Sequence, residues 1–295
     1  MDYRFSDREL AELKKAQQDE LVGQQVYGKL AELTKDPHNS KILAKIANDE
    51  KEHAKVFRKY TQTDLKVDRF KVFFYVFVAR AFGLTFSIKL QEKGEAATQK
   101  KYKQMFNAVP EIKKIIEDEE KHEAELINMI NEEKLSYMSS IVLGLNDALV
   151  ELTGALAGFT LSIRNSRIIA LLGLITGISA SLSMAASEYL SNKADPDPEN
   201  REKAKRSALY TGTAYILTVI ALVTPYFLYK NYLFSFTMTI AVALFIIFVF
   251  NYYISVVNDY DFKKRFLEMA SISIGVAALS SLIGFLVKTF LGFEL

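Results

Sequence analysis

Apolar and polar positions follow two different rules along this chain. From Ser6 to Lys134, apolar residues recur at helical spacing among charged ones, predicting four amphipathic helices: Ser6–Thr34, Ser40–Gln62, Asp68–Asn107 and Pro110–Lys134. Asp36-Pro37-His38-Asn39 reads as a turn with Ser40 as the N-cap of the second helix, and Pro110 suits the first turn of the fourth. Beyond Ser136 the periodicity gives way to near-continuous apolar runs: Met138–Thr160, Ile168–Leu190, Ala208–Tyr229, Leu233–Val257 and Phe266–Phe290. Each approaches the roughly 20 residues that cross about 30 Å of hydrocarbon. The links Arg164–Arg167, Asn192–Ser207, Lys230–Tyr232 and Asn258–Arg265 are short and polar. The expected architecture is all-α, with a four-helix bundle over residues 1–135 and five transmembrane helices over residues 136–295.

One stretch breaks this division. Phe70–Leu90 is apolar enough to imitate a sixth span, but Arg80 lies at its middle and Lys71 and Lys89 at its ends, and a lone central arginine is costly in lipid. It reads instead as a cytosolic helix with a broad aromatic face, lying along the bilayer surface, docked on a partner subunit or packed as ordinary core.

Charge sharpens the split. Of the 135 residues up to Leu135, 49 are charged; of the 160 that follow, 23 are. The formal net charge of +2 has no dominant basic block, which argues against nucleic acid as a partner. The chain has no Cys, which excludes disulfides, thiolate zinc sites, thiol nucleophiles and Cys-ligated iron. The first twenty residues are charged and helix-like, so no secretory leader is expected. Lys and Arg concentrate in the second link (Lys193, Arg201, Lys203, Lys205, Arg206) and the fourth (Lys263, Lys264, Arg265), against Arg164, Arg167, Lys230 and Lys288 on the other side. By the positive-inside rule the charged domain is expected in the cytoplasm and Leu295 outside; the expected location is a prokaryotic cell membrane.

The charged half repeats a ligand pattern. Glu20 and Tyr27 on the first helix precede Glu50-x-x-His53 on the second; Glu95 and Tyr102 on the third precede Glu119-x-x-His122 on the fourth. At about 1.5 Å per residue, Glu20, Glu50 and His53 lie about 25, 20 and 24 Å from the Pro37 turn, so they are level; Glu95, Glu119 and His122 are level about Val109. Residues three apart share a helix face, so each Glu-x-x-His can aim both groups inward. Four carboxylates and two imidazoles form the set that holds two iron or manganese ions in four-helix carboxylate proteins. Glu92, one turn before Glu95, is a candidate extra ligand or a solvated residue. Tyr27 and Tyr102 are candidate hydrogen-bond partners of the carboxylates or core filling, and His38 reads as a loop residue.

The spacing of Glu20, Glu50, His53, Glu95, Glu119 and His122 resembles the rubrerythrin branch of the ferritin-like family, over residues 6–134. That resemblance implies a ferritin-like di-iron domain that binds Fe²⁺, often with oxidation by O₂ or peroxide. The Cys-ligated iron module of full rubrerythrins has no counterpart here.

The apolar half also carries polar groups that lipid does not tolerate idle. Asp147 and Glu151, four apart in the first span, face one way, beside Asn146. Met184 and Glu188 share a face of the second span near Ser183 and Ser187; carboxylates with a thioether suit a borderline-soft ion such as Fe²⁺. Met184 as lipid-facing filler and Glu188 as an interfacial residue are the other readings. Gly154-x-x-x-Gly158 and Gly173-x-x-x-Gly177 permit close helix packing, within or between subunits. Asn251 and Glu268 are weaker candidates, and Tyr229, Tyr252 and Tyr253 look interfacial.

Residues Gly144–Val150 and Ser183–Ser191, with the five-span count, resemble the vacuolar iron transporter family. The resemblance implies a dimeric Fe²⁺/Mn²⁺ transporter exchanging metal for protons, with Asp147 and Met184 on the pathway. Ala148 stands where that family usually has Gly, Glu151 where Ser or Thr is common, and the long Glu-rich insert of plant members is missing. The whole chain resembles the membrane-bound ferritin type, a fusion of the two families. The expected function is Fe²⁺ export past Asp147, Glu151, Met184 and Glu188, driven by inward protons in a homodimer, with the bundle capturing or oxidising iron. The alternatives are a membrane-anchored di-iron ferroxidase or peroxidase and a Mn²⁺ transporter.

Overall fold

A computed structural model describes residues 5–102, 109–128 and 137–291, with side chains for all of these except 95–102, 127–128 and 291. Every regular element among the described residues is helical, in two compact units, Met1–Glu132 and Glu133–Leu295.

The first unit contains α1 (Asp7–Leu33), α2 (Pro37–Thr61), α3 (Arg69–Phe82), α4 (Leu84–Tyr102) and α5 (Ile112–Asn128). Ser6 caps α1 reciprocally with Glu9: Glu9 N–H donates to the Ser6 hydroxyl, and Ser6 N–H donates to the Glu9 carboxylate. α2 begins three residues earlier than predicted. Asp36, not Ser40, is its N-cap, accepting from the N–H groups of His38 and Asn39, because Pro37 fixes the first helical φ and has no N–H to satisfy. Ser40 instead donates to the Ala31 carbonyl, tying α2 back to α1.

The predicted helix Asp68–Asn107 is broken. At Gly83 the backbone takes φ 101° and ψ 158°, a conformation that only glycine adopts without strain, and α4 folds back along α3. The Ser87 hydroxyl then donates to the Tyr75 carbonyl at 2.8 Å. Twelve residues of continuous helix would hold those two about 18 Å apart. The end of that predicted helix at Asn107 and the end of the fourth at Lys134 lie outside the described residues.

Two apolar layers bracket a polar one. Leu13 and Ala16 of α1, Phe57 of α2 and Ile112 and Ile115 of α5 pack at one level. Val26 and Leu30 of α1, Leu43 and Ile46 of α2, Val72 of α3, Ile88 of α4 and Leu126 of α5 pack at another. Between them in register fall Glu20, Glu50, His53, Glu119 and His122, a polar stratum held in place by apolar packing on either side.

The second unit has five helices long and apolar enough to span a membrane: α6 (Met138–Ile163), α7 (Ser166–Ala194), α8 (Pro198–Leu228), α9 (Tyr232–Val257) and α10 (Phe262–Leu291). It is an integral membrane unit. α7 and α8 continue through most of the predicted polar link, leaving Asp195–Asp197 as the turn, with Asp197 capping α8. The small-residue pairs work inside the chain. A Cβ on Gly173 would meet Leu156 at 2.6 Å, one on Gly177 would meet Val219 at 2.4 Å, and one on Gly154 would meet Val276 at 2.9 Å. Large apolar side chains such as Leu182, Leu217 and Phe245 face outward, as lipid requires. α6 is not uniform: Ala148–Leu152 forms a π-helical turn directly after Asp147.

Candidate metal centre

Nδ1 of His53 lies 3.2 Å from Oε1 of Glu119, 3.5 Å from Oε2 of Glu20 and 4.0 Å from Oε2 of Glu50. Nδ1 of His122 lies 3.7 Å from Oε1 of Glu50 and 3.7 Å from Oε2 of Glu119. Glu50 and Glu119 therefore each turn one oxygen toward each imidazole. The two rings are 6.0 Å apart, centre to centre. Glu20, Glu50, His53 and Glu119 offer ligand atoms that all lie within 4.8 Å of one another.

Behind the rings stand two aspartates. Nε2 of His122 is 3.1 Å from Oδ2 of Asp49, and Nε2 of His53 is 3.7 Å from Oδ2 of Asp118. Each aspartate immediately precedes the glutamate of one Glu-x-x-His and reaches the histidine of the other, so α2 and α5 brace each other's imidazoles. An Nε2–H donated to Asp49 fixes the tautomer in which Nδ1 presents its lone pair to the cluster.

The electrostatics favour a cation. Burial, then the charges of Glu20 and Glu119, push the Glu50 carboxyl well above its ordinary range. Burial works against protonating His53 and His122, but hydrogen bonding to Glu119 and the surrounding negative charge outweigh it and raise both. Burial opposes ionising Glu119 too, yet hydrogen bonds from His122 and His53 hold it below the usual value. Nδ1 of both rings is buried and meets Glu119 only at 3.2 and 3.7 Å, outside good hydrogen-bond geometry, so that a metal ligand bond would satisfy it better. Hard carboxylate oxygens with borderline imidazoles suit iron or manganese. Glu20, Glu50, His53 and Glu119 thus form a buried group whose chemistry fits a metal ion.

The remaining bundle candidates are placed differently. Glu92 is half-buried on α4 and is not among the groups that converge within 4.8 Å. Glu95 and Tyr102 belong to the part of α4 whose side chains lie outside the described residues. Tyr27 is buried in the apolar layer with Val26 and Leu30. Asp49 and Asp118 went unread in the sequence, although the repeat of Asp-Glu-x-x-His rather than Glu-x-x-His was their signal. Gly23, one turn beyond Glu20, gives the site room: its Cβ would lie 3.4 Å from Oε2 of Glu50 and 3.2 Å from Nε2 of Gln91.

In the membrane unit the carboxylates are fewer: Asp147 and Glu151 of α6 meet side chain to side chain, and Glu188 belongs to α7. Ser140 donates to Oε1 of Glu188 at 2.8 Å, joining α6 to α7. The buried Tyr215 of α8 donates to Oε2 of Glu151 at 3.2 Å. Ser140, Asp147 and Glu151 repeat at helical spacing on one face of α6. Asp147 lies about 10 Å along the axis from the Ser140–Glu188 contact, and Glu151 one turn further on. Met184 lies one turn from Glu188 on α7 and packs partly buried against the core of Ala148, Leu149 and Tyr215. Asp147 is half-buried and Glu151 exposed, near the middle of the span. Oδ1 of Asn146 is buried without a hydrogen bond. Asn251 bonds back to the Ile247 carbonyl, and Glu268 is exposed.

Residues 138–207, about a quarter of the chain, match the VIT family. The match takes in all of α6 and α7 and the start of α8, and so includes Asp147, Glu151, Met184 and Glu188. No curated protein matches the chain.

Proposed function

We propose that this protein is a membrane transporter of Fe²⁺ that carries the metal out of the cytoplasm, with the first unit as a cytosolic site that captures two ions. The observation that carries the reading is the pair of carboxylates, Asp147 and Glu151, on one face of α6 within a segment that matches the VIT family. The match supports a metal-ion transporter of the iron and manganese class. Ionisable groups at membrane depth line a cavity, pair or carry an ion. Glu188, Asp147 and Glu151, with Met184 between the first two levels, offer successive oxygen and thioether ligands to a divalent cation.

The finer parts rest on further observations. The excess of Lys and Arg in the α7–α8 and α9–α10 links supports an outward direction and a cytoplasmic first unit. Carboxylates that bind a cation when ionised and release it when protonated supply the means for proton exchange. Glu151, exposed at mid-span in a single chain, supports a homodimer in which a second copy covers it. In the first unit, Glu20, Glu50, His53, Glu119 and His122 would hold the ions, with Asp49 and Asp118 orienting the imidazoles. Bound iron there would supply electrons for reduction of O₂ or peroxide. That enclosed site is the ground for a second reading, a membrane-anchored di-iron oxidase.

Proteoliposome flux separates the readings. Entry of Fe²⁺, with counterflow of protons, is expected for the unaltered chain and should fall on the order of tenfold or more in Asp147→Ala. Unchanged flux in that variant would defeat the path. O₂ consumption without metal flux would favour the oxidase, and faster Mn²⁺ than Fe²⁺ entry would make manganese the cargo.

A further inference from the structure

Helix α3 buries one face with Val72 and Val78 and turns the opposite face outward. Phe70, Phe73, Phe74 and Phe77 are 76%, 67%, 44% and 55% exposed. At helical spacing they fall within an arc of about 100°, a continuous aromatic strip, with Phe73 and Phe77 stacked at 6.2 Å. Arg69 and Arg80 border the strip. α3 holds no acidic residue, and none occurs from Arg69 to Gln91. Lys71 is paired with Asp19 at 3.2 Å, whereas Arg69 and Arg80 form no ion pair with a described residue.

Four phenylalanines on one helix face are not left in water without cause. A second copy of the strip would bring like-charged guanidinium groups together. A bilayer surface answers both chemistries, with the acyl boundary for the rings and anionic headgroup phosphates for the arginines. The chain's five spans keep such a surface tethered to it, so a weak contact suffices. We infer that α3 is an interfacial helix that docks the first unit on anionic lipid. The inference rests on the membrane embedding of the second unit and not on metal transport, so flux and docking can fail separately.

The chain contains no tryptophan, so Phe73→Trp installs a single reporter at an exposed position. The full-length variant is reconstituted in phosphatidylcholine–phosphatidylglycerol vesicles whose acyl chains are brominated near the headgroup. Blue-shifted emission quenched by that lipid is expected, with weaker quenching in phosphatidylcholine alone and a loss of roughly half or more on adding Arg69→Glu and Arg80→Glu. A tryptophan at exposed Lys41 of α2, as a control, should stay water-like and unquenched. Water-like emission from Phe73→Trp would overturn the inference. So would blue-shifted emission that bromine does not quench, which would mark a protein partner or second copy, and so would equal quenching at Lys41→Trp.

Discussion

The two units treat the same side chain, a carboxylate away from bulk water, in opposite ways. In the bundle, Glu20, Glu50 and Glu119 are pressed together with two imidazoles in a stratum walled by apolar layers, and two aspartates hold the rings from behind. In the membrane unit, Asp147 and Glu151 stand one turn apart on α6 with their carboxyl groups in contact, Glu151 also accepting from the Tyr215 phenol, and Glu188 lies on α7 with the Ser140 hydroxyl as its donor. Dense, braced ligands hold a cation; sparse ligands at intervals let it leave. On the proposed reading, retaining metal calls for the first arrangement and passing it for the second, and both would be built from one residue type by changing spacing and support.

The contrast breaks most sharply by disabling one region and reading the other. Glu151→Ala should cut Fe²⁺ flux on the order of tenfold or more while leaving the metal content of the bundle unchanged. Glu50→Ala should instead empty the bundle, read by metal analysis of the purified protein, while residual flux through the membrane unit persists. If either variant abolishes both properties, the two regions are not separable. A smaller effect is expected from Asp49→Asn, which keeps every ligand and removes only the carboxylate behind His122. Metal affinity of the bundle should fall about tenfold to a hundredfold, with flux unaffected.

pH sharpens the contrast further. Glu50, His53 and His122 have raised values, so they keep their protons to higher pH and an incoming cation would displace them. Loading should release protons, and apparent affinity should rise as pH rises through those values. Calorimetry in buffers of different ionisation enthalpy checks both signs. The smallest effect belongs to the fold. Gly83→Ala forces a side chain onto φ 101° and should cost the first unit about 1–3 kcal/mol, seen as a lower midpoint for its unfolding with the membrane unit unchanged.

Much of this was legible in the sequence, for identifiable reasons. The five spans are legible because lipid demands long apolar runs. The level of Glu20, Glu50 and His53 is legible because helical rise is constant on both arms of a hairpin. Gly83 was not, since the apolar run Phe70–Leu90 continues through it and nothing in helical periodicity distinguishes a helix from two antiparallel halves. Asp36 won the cap from Ser40 because of its neighbour Pro37, a local effect that hydrophobic patterning does not register. Asp49 and Asp118 carried a signal, the repeated Asp-Glu-x-x-His, but among many acids it is their contact with the opposite histidine that shows their use. The exposure of Glu151 depends on which helices α6 meets and cannot be read from its own sequence.

The shared glutamates have a consequence for stoichiometry. Because Glu50 and Glu119 each turn an oxygen toward both imidazoles, two ions held there would share both glutamates. On the proposed reading, a lone divalent cation among Glu20, Glu50 and Glu119 would leave residual negative charge beside the second imidazole, which would draw in another. Titration should therefore populate empty and doubly loaded molecules at the expense of singly loaded ones, so the bundle would fill in pairs.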